Sequence, residues 1–130
     1  MIDSSIQRLL EQAIDSPTKL QLSLLFYENR RLEGTAAQFA NRIYQDIWST
    51  REALRELTED GILIAANLAG ESIYRYRPRP EHVEAIALLA QSYNEPLERD
   101  AIQRAVREAA SYASYRRTSH TATAFERQAL

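Results

Sequence analysis

Between Gly61 and Pro78 the apolar spacing changes from the period of about 3.6 residues expected of a helix to the alternation expected of a strand. Ile62 and Ile64 alternate, Ala69-Gly70-Glu71 reads as a hairpin turn, and Ile73-Tyr74-Arg75-Tyr76-Arg77 is a second strand rich in β-formers. Pro78 and Pro80 end it, because proline cannot keep donating to a ladder. The apolar stripes on either side, up to about residue 113, are helical in pattern. The chain is therefore expected to be mainly α-helical with one small β-hairpin.

The helices ahead of the hairpin are marked by caps and stripes. Ser4 and Gln7 have the spacing of a capping box, followed by Ile6, Leu9, Leu10 and Ile14 on one face. Asp15-Ser16-Pro17 interrupts, with Ser16 as the next N-cap and Pro17 at the first helical position, where its missing N–H costs nothing. Leu20, Leu24 and Tyr27 form a stripe that Leu22, Leu25 and Phe26 widen, so this helix should be buried. Arg30-Arg31-Leu32-Glu33-Gly34 reads as a polar connection. Thr35 and Gln38 form a second capping box, opening a short helix to about Arg42 with Ala36, Phe39, Ala40 and Ile43 inward. Tyr44 to Trp48 reads as a tight link, and Ser49 with Glu52 as a third box. Thr50, Leu54 and Leu57 anchor that helix, and Gly61 after Asp60 ends it in a left-handed cap.

After the hairpin, Glu81 to about Asn94 carries Val83, Ile86, Ala87, Ala90 and Tyr93 on one side. A last helix from Pro96 carries Ala101, Ile102, Ala105, Val106, Ala109 and Tyr112. From 114 to 130 no apolar period remains, and a flexible tail is expected.

Composition narrows the chemistry. There is no cysteine, so disulfides and thiolate metal sites are excluded. His82 and His120 lack a second ligand one turn away, so no metal is expected. No glycine-rich phosphate loop, nucleophile elbow or acid/base pair stands out, so no catalytic residue and no cofactor is expected, and an enzyme is the least favoured class. Glu95–Arg99, Asp100–Arg104 and Arg104–Glu108 at i, i+4 read as solvated faces. No apolar run approaches the ~20 residues of a membrane span, and the N-terminus has no basic stretch before an apolar one. A cytoplasmic protein without membrane contact is the expectation. Net charge is −2, unevenly placed: residues 1–60 hold 7 Lys and Arg against 10 Asp and Glu, whereas 61–130 hold 9 Arg against 8. Arginine presents a planar fork suited to phosphates.

The residues that carry a resemblance are Thr35-Ala36-Ala37-Gln38-Phe39-Ala40, Ser49-Thr50-Arg51-Glu52-Ala53-Leu54-Arg55-Glu56-Leu57 and Asp60-Gly61-Ile62-Leu63-Ile64. In order and spacing they resemble the core of the winged helix-turn-helix transcription regulator superfamily over about residues 17–79. Subfamilies of the MarR, PadR and ArsR type all remain open, without ArsR-type cysteine metal sensing. The resemblance implies a winged helix-turn-helix domain at 17–79, flanked by an accessory helix at 1–16, C-terminal helices at 80–113 suited to dimerisation, and the tail at 114–130. It also implies a sequence-specific regulator that binds double-stranded DNA as a homodimer. A helix in the major groove meets base edges with its outward N-terminal residues. Those would be Ser49, Arg51 and Arg55, with Gln45 reaching a phosphate from the turn. Arg75, Arg77 and Arg79 fall on one side of a strand and would follow phosphates or a minor groove.

Other uses of these residues compete. The wing arginines could pair with Glu71, Glu81 or Glu84 on the surface. Asp46, Glu52 and Glu56 on or beside the reading helix would repel phosphate, and Glu52 and Glu56 could hold Arg51 in an intrahelical pair. Trp48 is expected to pack into the core. Tyr93, Tyr112 and Tyr115 read as an interhelix or dimer seam, an effector pocket between the C-terminal helices being their other use. The stripes at Ile6, Leu9 and Leu10 and at Ala101, Ala105 and Val106 suggest a dimer. A winged-helix protein–protein adaptor without DNA binding is the alternative function. The sequence specifies no effector.

Overall fold

The computed structural model describes residues 2–129, with side chains described for 2–113 and Tyr115. The order is α1 (Ser4–Gln12), α2 (Pro17–Glu28), β1 (Glu33–Gly34), α3 (Ala36–Ile43), α4 (Ile47–Glu59), β2 (Leu63–Leu68), β3 (Glu71–Tyr76), α5 (Pro80–Tyr93) and α6 (Pro96–Ala129). The chain is mainly helical with one small antiparallel sheet in the order β1-β3-β2. No helix among the described residues is long and apolar enough to cross a membrane.

Local chemistry sets the helix starts. Ser16 accepts from the Lys19 N–H with Pro17 at the first position, as the sequence indicates. Thr35 and Gln38 make both bonds of a capping box: the Gln38 N–H donates to Thr35 Oγ1 at 3.3 Å, and the Thr35 N–H donates to Gln38 Oε1 at 2.9 Å. Two caps differ from expectation. Asp3 rather than Ser4 caps α1, and Asp46 rather than Ser49 caps α4. In each case an aspartate ahead of the expected serine takes the role, because its carboxylate is the stronger acceptor for orphan N–H groups at a positive helix end. Consequently α4 starts at Ile47, and the α3–α4 link shortens to Tyr44-Gln45-Asp46.

The hairpin phase also shifts. Ile62 and Leu63 are both fully buried, whereas Ile64 is half-buried. Leu63, opposite Tyr76, turns inward, whereas Ala65, opposite buried Tyr74, is already exposed. Ile64, opposite Arg75, belongs to the outer face. The expected polar connection before α3 contains β1, which pairs Glu33 with Arg75 and Gly34 with Tyr74. Two residues are too few to show a strand period.

The β2–β3 loop is Ala69-Gly70, both in the left-handed region at φ 53° and 84°. Such loops match the twist of the flanking strands but favour Asn-Gly over Ala-Gly. Ala69→Asn should therefore raise stability by a few tenths to about 1 kcal/mol in urea melts, and an unchanged or lower midpoint would count against this backbone.

One core runs through the molecule. Phe26 of α2 packs on Phe39 of α3, with ring centroids 4.8 Å apart, and stacks on Tyr76 of β3 at 6.2 Å. Ile6, Leu9 and Leu10 of α1 join the same cluster as Ile86, Leu89, Ile102 and Val106 of α5 and α6. The stripes that suggest a dimer are thus largely buried within the chain, because α1, α5 and α6 pack on one another and α5 and α6 also pack on α2. Val83, expected inward, is exposed, and Leu89 takes its place. Helix α6 continues as backbone to Ala129, past the point where a flexible tail is expected. Most side chains of 114–130, His120 included, lie outside the described residues.

Candidate functional site

Helix α4 has one buried and one exposed side. Thr50, Ala53, Leu54, Glu56 and Leu57 face inward, while Trp48, Ser49, Arg51, Glu52, Arg55 and Glu59 face out. Leu54 and Leu57 fix this phase, so Ser49, Arg51 and Arg55 stand outward as the sequence indicates. Gln45 is exposed in the turn before them, its N–H bonded to the Ala40 carbonyl at 3.1 Å.

The two outward arginines differ. Arg55 is gripped by Glu52 and Glu59, one turn away on either side, with its Nε 3.2 Å from Glu52 Oε2. Those contacts, Glu52 first, raise the proton affinity of the guanidinium. Arg51 takes part in no ion pair among the described residues and lies over the Trp48 ring, 5.4 Å from its centroid. The pairing of Arg51 with Glu52 or Glu56 weighed from sequence is not formed, and Glu52 holds Arg55 instead. Glu56 has turned inward to Lys19, 2.8 Å away, and is nearly buried, which takes its charge off the outer face.

Trp48 is 73% exposed rather than part of the core, and Tyr44 is 92% exposed. The early start of α4 explains Trp48. At the second helical position it sits on the outer side, while Ile47 turns partly inward. Tyr44 caps α3 in the left-handed region at φ 58°, ψ 42°, which is uncommon for a side chain of this size and occurs where surrounding structure imposes it. Asp46 occupies the positive end of α4. The Ser49 backbone N–H, 2.8 Å away, is the first cause holding its carboxyl below the usual 3.8, and the Ser49 side chain adds to it. A phosphate cannot use that helix end while Asp46 fills it.

The second cationic group follows the hairpin. Arg75, Arg77 and Arg79 alternate along the chain with buried Tyr74 and half-buried Tyr76 and Pro78. The extended path outlasts β3, since the Arg77 N–H donates to the Ile62 carbonyl at 3.1 Å and the Arg79 N–H to that of Gly61 at 2.8 Å. All three arginines are exposed, and none is in an ion pair among the described residues. The pairings with Glu71, Glu81 and Glu84 weighed from sequence are not formed. Strand β1, which the sequence does not reveal, sets Glu33 opposite Arg75 across the sheet. The aliphatic stem of Arg79 runs over Gly61, where an added Cβ would come within 2.5 Å of its Cδ; Gly61 itself has φ +84°.

Elsewhere, no group of His, Asp and Glu among the described residues is placed to hold a metal ion. His82 puts Nε2 2.9 Å from the Asp60 carbonyl oxygen, tying α5 to the end of α4. Arg99 bonds the Tyr93 carbonyl oxygen at 2.7 Å rather than pairing with Glu95. Tyr112 and Tyr115, expected in a seam, are exposed. Compared with known proteins, the chain matches no family model, no curated protein and no solved structure.

Proposed function

We propose that the chain is a winged helix-turn-helix regulator that binds double-stranded DNA sequence-specifically, with α3 and α4 as the helix-turn-helix and β2–β3 as the wing. The observation that carries the reading is the exposure of four arginines that form no ion pair among the described residues, Arg51 on α4 and Arg75, Arg77 and Arg79 along the hairpin edge. Cations without protein partners are those that can replace the counterions of a phosphate backbone. In this reading Arg51 and Ser49 meet base edges, Gln45 a phosphate, and the wing arginines phosphates or a minor groove. Arg55 contributes little, because Glu52 and Glu59 already neutralise it. Dimerisation belongs to the proposal. Its motive moves from the buried stripes to the exposed Val83, Leu97 and Tyr112 of α5 and α6.

The adaptor reading, a winged helix that docks protein instead of DNA, is favoured by Tyr44 and Trp48, two large exposed aromatics beside the turn. Aromatic side chains are enriched at protein interfaces. Fluorescence anisotropy with duplex DNA at about 50 mM salt separates the two, since phosphate attraction is strongest at low salt. On a duplex selected from a random pool, Arg51→Ala should weaken binding by about 1–3 kcal/mol, and by much less on random DNA. Arg75→Ala and Arg77→Ala should weaken all sequences alike and each flatten the salt slope by about 1. Arg55→Ala should change little. If no duplex binds at that salt, the DNA reading is wrong and only the fold remains.

A further inference from the structure

A cleft of about 660 Å³ is bounded by α2, the end of α3 with Tyr44, α5 and α6. That is within the range of about 300–1,000 Å³ typical of small-molecule sites. Its walls include Leu24, Ile43 and Tyr93, and charged side chains Arg42, Arg107 and Glu28 stand at it, so the cations outnumber the anion. Arg42 and Arg107 are both exposed, and neither is in an ion pair among the described residues. Tyr93 is fixed in place. Gln103 Nε2 donates to its hydroxyl at 2.9 Å, and Arg99 sits 5.4 Å from the ring centroid. An apolar wall held rigid, with cations at its edge and solvent access, suits one kind of occupant.

We propose that this cleft binds a small amphipathic anion, an aromatic or aliphatic body bearing one carboxylate or sulfonate. The apolar body lies along Leu24, Ile43 and Tyr93, and the anionic group is met by Arg42 and Arg107. Glu28 disfavours a dianion. The site stands whether or not duplex DNA binds elsewhere on the molecule.

The test uses the full chain and two probes of nearly the same shape, 1-anilinonaphthalene-8-sulfonate and the uncharged N-phenyl-1-naphthylamine. The expected result is saturable binding of one sulfonate probe per chain, with amide shifts in NMR spectra centred on Leu24, Ile43 and Tyr93. The R42Q/R107Q double variant should weaken the sulfonate probe about tenfold and change the uncharged one less than about twofold. Leu24→Trp, which fills the cleft, should remove both. Should Leu24→Trp fail to fold, the arginine variant, confined to exposed side chains, still decides. Non-saturable binding, equal loss of both probes in the double variant, no loss of either, or shifts centred on another face would each overturn the proposal. So would loss of probe binding as the chain self-associates in sedimentation, which would make a second copy the occupant.

Discussion

Lys19→Ala is expected to destabilise the fold by about 3–5 kcal/mol, the range for breaking a buried ion pair by removing one partner. Lys19 is 2% exposed and lies 2.5 Å from Asp15, which is fully buried, and 2.8 Å from Glu56. Removing the ammonium takes away the cation that two buried carboxylates share, and their desolvation is then no longer offset by it. A triple replacement, Asp15→Leu with Lys19→Met and Glu56→Leu, should behave differently. It removes every charge together, so it should be neutral or stabilising, by up to about 4 kcal/mol. Urea melts of the two variants decide the matter. A loss below about 1 kcal/mol for Lys19→Ala would mean that water reaches the ammonium and the cluster is not buried in solution.

The cluster matters to the proposed function because of where it sits. Asp15 precedes α2, Lys19 is in its first turn, and Glu56 comes from the inner side of α4. A salt link between α2 and α4 helps set how far α4 projects and which of its faces is outward. The stable triple variant therefore offers a second reading. If apolar packing lets α4 rotate, duplex binding should fall although stability does not.

Much of this arrangement can be read along the chain, and what cannot has identifiable causes. The phase of α4 follows from Leu54 and Leu57, so the outward placement of Ser49, Arg51 and Arg55 is visible in the spacing alone. The Thr35–Gln38 box is equally visible, because both its bonds are local. The starts of α1 and α4 are ambiguous for a local reason too: an aspartate stands one or three residues ahead of the serine, either can serve as N-cap, and spacing does not rank them. The exposure of Trp48 follows from that one shift of the α4 start. The pairing of Arg55 is harder to foresee, since Glu52 is within a turn of both Arg51 and Arg55, and only side-chain geometry chooses. Asp15 and Lys19 are one turn apart and so adjacent by spacing, but Glu56 joins them from 37 positions beyond Lys19, a distance that carries no periodic signal. The same holds for Glu33 opposite Arg75 and for α1 against α5 and α6. An apolar stripe shows that a face is covered, not by what, and here the cover is the chain itself.

Leu54→Ala is expected to cost about 2–5 kcal/mol, as for other buried leucines whose site collapses only partly. Leu54 is fully buried in the core, and its carbonyl oxygen accepts the Thr58 hydroxyl at 2.8 Å, which steadies the turn that follows. Alanine keeps the helix propensity of the position, so the loss isolates packing from local preference. The control is Arg51→Ala three residues earlier on the outer side, which should stay within about 0.5 kcal/mol of the parent. If both variants lie within that margin in denaturant melts, Leu54 is not packed in solution and the phase of α4 is wrong. The outward placement of Ser49, Arg51 and Arg55 would then fall with it, because the same rotation assigns both sides of the helix. If the leucine variant alone is damaged, the phase holds. Any loss of duplex binding by Arg51→Ala can then be assigned to the missing guanidinium rather than to a disturbed fold.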